Sequence, residues 1–137
     1  MSSPPQLINP PDVAPPKPTY SHVSTVTLSG RAKLIHIAGQ IGSDAQGHVP
    51  ASYPEQIELA LSNLGKCLAA AGATTRDIVK VTHYIAHYDP ADRTRGRLYL
   101  DFMEGYNPPS TLVPVPALAD PELLYEIEAV AVVAQED

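Results

Sequence analysis

The chain has 137 residues, enough for one domain with a single core and too few for two. Nine Lys and Arg stand against fifteen Asp and Glu, and the resulting net charge of −6 repels a phosphate backbone, so nucleic acid is a poor expectation as a partner. No apolar run approaches the ~18–20 residues that span a bilayer, and the lone Cys67 excludes an intramolecular disulfide or a thiolate metal cluster.

The first eighteen residues, MSSPPQLINPPDVAPPKP, include seven prolines and favour an extended arm over a packed element. Residues 1–19 are therefore expected to be a partly disordered Pro-rich arm, and residues 20–137 the single domain. The segment has neither the basic start nor the apolar stretch of a secretion signal, so the expectation is a soluble, cytoplasmic protein with no membrane contact. From Tyr20 onward Val23, Thr25 and Thr27 alternate with Ser24, Val26 and Leu28, and Ser29-Gly30-Arg31 turns into AKLIHIAGQIG (32–42). That pattern predicts two paired strands.

SYPEQIELALSNLGKCLAAAG (52–72) carries the strongest helix signals. Ser52 and Glu55 form an S-x-x-E capping box, Pro54 fits the first turn, and Gly72 supplies the stop. Ile57, Leu61, Leu64, Leu68 and Ala71 repeat at helical spacing, with Cys67 beside them as a small core residue rather than a reactive thiol. DIVKVTHYIAHY (77–88) reads as a strand, on which His83 and His87 share a face about 13 Å apart, too far for easy chelation. No metal site is expected. Asp89 and Pro90 are expected to start a second helix, with DRTRGR (92–97) as its solvated first turns and Leu98, Tyr99, Phe102, Met103 and Tyr106 as its apolar stripe.

NPPSTLVPVPAL (107–118) reads as a strand missing two N–H donors, at Pro114 and Pro116. Both losses fall on one side, so the strand can pair on one flank only. In LLYEIEAVAVVA (123–134), Leu124, Glu126 and Glu128 share one face and Tyr125, Ile127 and Ala129 the other. The order ββαβαββ predicts an α+β sandwich, a mixed sheet with two helices on one face and the other face bare. Two carboxylates on an otherwise apolar strand are costly to bury, so Glu126 and Glu128 face either water or a polar cleft, where a carboxylate can serve as general acid or base. The chain has no Gly-rich phosphate loop, nucleophile elbow, H-E-x-x-H or CxxC, and Ser110 has no base near it in sequence.

HIAGQIG (36–42), QIELALSNLGKCLAAAGATTRDIVKVT (56–82) and YEIEAVAVV (125–133) occur in the order and spacing of the YjgF/Rid family of imine and enamine deaminases, which the chain resembles from about Tyr20 to Val133. The resemblance implies a chorismate-mutase-like fold, a homotrimer with a small-molecule cleft at each subunit seam, and no metal or organic cofactor. It implies Glu126 as the catalytic carboxylate that positions water, with Tyr20 and the Ala38-Gly39-Gln40 loop lining the cleft. The family's P-A-R-[ST] arginine, which grips a substrate carboxylate in a bidentate pair, falls at Ser110 in PPST (108–111), and residues 98–137 contain no Lys or Arg. Ser110 and Thr111 would then offer neutral hydrogen bonds.

Three readings follow. The first is a Rid-like enzyme acting on a substrate without a carboxylate, such as a neutral imine, enamine or related reactive carbonyl derivative, rather than on a standard 2-imino acid. The second is a noncatalytic trimer that binds a small molecule or a protein. The third is a ribonuclease working through Arg93, Arg95 and Arg97. Arg31 and His22 are the candidates to replace the missing cation.

Overall fold

In the computed structural model, which describes residues 5–135, the local signals of the first helix are realised except for the reciprocal half of the capping box, since the Glu55 side chain does not accept the Ser52 N–H. α1 spans Tyr53–Ala70; the Ser52 side chain accepts the Glu55 N–H at 3.1 Å, Pro54 lies in the first turn, and Gly72 takes φ +78 just past the end. Its buried face is Ile57, Leu61, Leu64 and Leu68, as the spacing predicts, together with Ala60 and one polar residue, Gln56, while Ala71 is the C-cap and only partly buried.

Six strands and two helices follow one another as β1 (Gln6–Ile8), β2 (Val23–Thr25), β3 (Ala32–Ile41), α1, β4 (Ile78–Ala86), α2 (Thr94–Met103), β5 (Ser110–Val115) and β6 (Tyr125–Ala134). The main sheet has the order β3-β6-β4-β5: β6 lies between β3 and β4 and is antiparallel to both, while β5 runs parallel to β4 with α2 as the crossover. The core lies between one face of this sheet and the helices. It is built from Ile35 and Ile37 of β3, Val81 and Ile85 of β4, Tyr125, Ile127 and Ala129 of β6, the apolar face of α1, and Tyr99 and Met103 of α2. Cys67 is partly buried against it. This is the expected α+β arrangement, with two helices on one face of a mixed sheet.

The proline strand is an edge strand. The Val81 N–H donates to the Pro109 carbonyl at 3.0 Å, so Thr111, Val113 and Val115 turn their backbone groups toward β4, and Pro114 loses its donor on the open flank.

Three expectations are corrected. Residues 23–28 do not pair with β3; β2 is three residues long and pairs antiparallel with β1 in a separate two-stranded sheet, Gln6 opposite Thr25. Turn chemistry at Ser29-Gly30-Arg31 reverses the chain but does not choose a sheet edge. The Ser24 hydroxyl donates to the Val79 carbonyl at 2.7 Å, and the arm residues 6–8 take the pairing. α2 starts at Thr94 rather than at Asp89, because Asp89 and Asp92 each form a local turn, accepting the Ala91 and Thr94 N–H groups at 2.9 Å. His83 and His87 do not share a strand face: β4 ends at Ala86, and His87 is exposed with φ +56 while His83 is fully buried.

Candidate functional site

Alternation along β6 sends Tyr125, Ile127 and Ala129 into the core and Glu126 and Glu128 to the outer face. Beside Glu126, β3 carries one extra residue relative to β6: Ile37 lies opposite Ala129, but Gln40 lies opposite Ile127. The bulge falls at Ala38-Gly39, and the Gln40 side-chain amide donates to the Ala38 carbonyl at 3.1 Å. A Cβ at Gly39 would fall 2.2 Å from Glu126 Oε2, so the carboxylate rests on backbone that only glycine leaves open.

No hydrogen-bond donor among the described residues holds the Glu126 carboxylate, whereas Glu128 is bound by the Tyr84 hydroxyl. Partial burial, and then the Glu128 charge, push the Glu126 pKa above the ordinary carboxylate value. Tyr84 is pushed up in turn by its bond to Glu128. The result is one engaged carboxylate beside one unengaged carboxylate of enhanced basicity. Thr111 lies on the same outer face, exposed, and receives the Lys80 ammonium at 2.5 Å. Lys80 is a cation the sequence reading passed over; alternation along β4 places it with Thr82 and Tyr84, but only the β4–β5 pairing brings it to Thr111.

Ser110 belongs to the other face. It pairs with Val81, and Leu112 with His83, residues buried under the helices. A cavity of about 650 Å³ opens there between residues 17–20, the start of α2 and the β4–β5 edge, and both Tyr20 and Ser110 line it, with Tyr53 and Tyr88. Tyr20 is positioned by its neighbour: the Ser21 hydroxyl, itself buried, donates to the Asn107 carbonyl at 2.6 Å. The Tyr53 hydroxyl is pushed up to about 12 by burial, against the opposing charge of Arg95, so it stays a neutral donor. Deeper still, His83 Nδ1 and the Tyr125 hydroxyl share a hydrogen bond at 2.8 Å, and the Tyr99 ring meets the imidazole edge-on at 4.7 Å. Burial, then the charges of Arg95 and Lys80, hold His83 well below its ordinary pKa, as a neutral imidazole.

The expected site residues thus fall into two groups on opposite faces of the sheet. Glu126, Ala38 and Gly39 meet at the bulge, with Thr111 on the same face, whereas Gln40 follows the bulge opposite the core-facing Ile127; Tyr20 and Ser110 meet in the cavity. Neither candidate replacement for the missing cation lines the cavity: His22 is tied to the arm through the Asn9 side chain at 2.8 Å and the Ala14 carbonyl at 2.7 Å, and the Arg31 carbonyl accepts the Gln135 N–H at 3.0 Å. Among the described residues no cluster of three or more His, Cys, Asp or Glu could hold a metal ion. Among the described residues no helix is long and apolar enough to cross a membrane.

The α+β sandwich, with two helices on one face of a mixed sheet, is similar to the fold of solved YjgF/Rid structures. The chain belongs to the YjgF/Rid family: the family model described as Endoribonuclease L-PSP matches residues 12–133. It is 34% identical over 102 residues, 73% of each chain, to the 2-iminobutanoate/2-iminopropanoate deaminase of Rattus norvegicus. It is 40% identical over 60 residues to the RutC family protein YjgH of Escherichia coli, a match that spans 44% of each chain. The crystal structure of the Rid family protein YyfB from Yersinia pestis superposes with a TM-score of 0.86 at 36% identity, covering 96% of this chain and all of that one.

Proposed function

We propose that the protein is a Rid-type hydrolase that converts an imine, enamine or related reactive carbonyl derivative to its carbonyl product and releases ammonia, without a cofactor. The observation that carries this reading is the Glu126 carboxylate: it rests on Gly39, no hydrogen bond holds it, and its pKa is raised by desolvation and by Glu128. Such a group suits a general base near neutral pH. The reacting form is the protonated imine, which an enamine reaches by protonation of its β-carbon; Glu126 takes a proton from water as the water oxygen bonds to the carbon and the C=N π pair moves to nitrogen. Glu126 then gives that proton to the carbinolamine nitrogen, the C–N bond breaks to release ammonia, and the hydroxyl proton passes back to Glu126 as C=O forms. Tyr20 and Ser110 supply neutral hydrogen bonds to the substrate.

Within one chain Glu126 and the cavity face opposite ways. The proposal therefore includes a homotrimer in which the outer face of one copy meets the cavity side of the next. The deaminase activity for which the rat relative is named, on 2-iminobutanoate and 2-iminopropanoate, supports the imine class. Ser110 in the place of the family's arginine argues against standard 2-imino acids held at that position. The same departure favours a second reading, a noncatalytic trimeric binding module. The description of the matching family model keeps a ribonuclease as a third, opposed by the net charge of −6.

Steady-state assays on a panel of imines, enamines and reactive carbonyl derivatives separate them. Ammonia release that disappears in Glu126→Gln is the expected result. Saturable binding without turnover across the panel points to the binding module, and RNA cleavage lost on neutralising Arg93, Arg95 and Arg97 points to the ribonuclease.

A further inference from the structure

Four of the chain's nine Lys and Arg line the cavity beside Ser110: Lys17, Arg93, Arg95 and Arg97. Asp92 is the only carboxylate in that lining. A protein with a net charge of −6 has thus gathered nearly half its cations around one concave surface, which focuses a positive field there. The cations are not equivalent. Lys17, Arg93 and Arg97 are exposed, whereas Arg95 is half-buried. Asp92 already accepts the Thr94 N–H and lies near enough to Arg97 for the guanidinium to lower its pKa.

Arg95 has no such partner; among the described residues no carboxylate forms an ion pair with it and no acceptor takes a hydrogen bond from it. Arg95 lines the cavity and is close enough to its interior end for its charge to act on Tyr53 and on the buried Tyr99, Tyr125 and His83. A half-withdrawn guanidinium with five unused donors is costly unless an acceptor arrives. The surrounding walls, Ile85, Leu100, Leu112 and the rings of Tyr53 and Tyr88, are apolar, and the volume suits a small organic molecule.

We infer that the cavity takes a small organic carboxylate whose anionic end is held by Arg95 and whose body lies against Ile85, Leu112 and Tyr53, so that position 95 on α2 supplies the cation that Ser110 lacks. The inference names the charge class of the proposed enzyme's substrate and rests on that reading for the reaction, not for the binding.

Binding is measured directly, by calorimetry and thermal shift, with pyruvate, benzoate and phenylacetate, each against its own amide. The expected result is saturable binding of at least one carboxylate, with its amide at least tenfold weaker. Arg95→Gln should weaken the carboxylate about ten- to hundredfold and abolish the preference over the amide. Arg95→Lys, which keeps the charge and tests the site should the Gln variant fold poorly, should fall between the two. Arg93→Gln and Arg97→Gln should change affinity less than threefold. Glu126→Gln should bind as the parent does, so loss of turnover with retained binding separates the two proposals. The inference is overturned if no carboxylate saturates, if acid and amide bind alike, or if Arg95→Gln and Arg95→Lys both match the parent.

Discussion

The contact between Glu126 and Gly39 joins two residues eighty-seven positions apart, and it sets the place of the carboxylate. In Gly39→Ala the new methyl must displace Oε2, since no real Cβ tolerates a 2.2 Å approach. With the reacting group moved by about 1 Å, kcat/KM should fall roughly 100-fold while the far-UV spectrum is unchanged; unchanged turnover would remove Glu126 from the reaction. The raised pKa also has a sign. The folded chain holds the Glu126 proton to higher pH than the unfolded chain, so stability falls as pH rises from about 4.3 through the folded value and stays lower above it. Glu126→Gln should therefore melt at or above the parent temperature at pH 7, an advantage that vanishes below about pH 4. Alternation along β6 makes the outward placement of Glu126 legible in the sequence. The seat on Gly39 is not, because it depends on the β3–β6 register and on a bulge that no local signal marks.

Among the elements, α1 is joined to the start of β6 by Gln56, a residue whose burial the sequence reading missed because its type is usually exposed. Its amide nitrogen donates to the Pro50 and Glu122 carbonyls at 3.0 and 2.9 Å, and its oxygen accepts the Leu124 N–H at 2.8 Å. These three bonds fix β6 two residues before Glu126. Gln56→Leu leaves three partly buried backbone groups without their amide partner and should cost about 3 kcal/mol in denaturant unfolding; a loss below 1 kcal/mol would show that water replaces the amide.

β4 contributes a second pH effect through His83. Tyr99 and Tyr125 pack against its ring, and Arg95 and Lys80 act on it from α2 and from its own strand. Its folded pKa is depressed, so the unfolded chain binds the proton first. Stability is present above about pH 6.5 and is lost as pH falls below it. The melting temperature should drop between pH 7.5 and 5.5, and His83→Gln should flatten that slope.

The helices illustrate what local chemistry decides. The α1 cap, proline and stop glycine lie within a turn of the residues they govern, and all are legible. The start of α2 is not, because Asp89 and Asp92 choose turn hydrogen bonds over a helical first turn, and both choices satisfy the same sequence pattern.

At the scale of the whole molecule, the outer sheet face is without cover in this chain. Leu34 is 62% exposed there, beside the half-buried Val113, Val130 and Val132. An apolar sheet face of this kind is ordinarily closed by another layer or another subunit. Sedimentation equilibrium should give about three times 14.6 kDa. A monomeric mass would sink the shared site, because Glu126 and the Ser110 cavity would then remain on opposite faces.

By itself the sequence determined the helix limits of α1, the two faces of β6, the one-flanked pairing of the proline strand and the α+β class. Each of these rests on periodicity or turn chemistry within a few residues. The tertiary structure alone decided that β6 enters between β3 and β4, that the arm rather than β3 pairs with β2, that Gly39 seats Glu126, and that Arg95 turns into the cavity beside Ser110. Those outcomes depend on which distant segments share an edge or a face, and that is set by the packing of the whole core rather than by any segment's own preference.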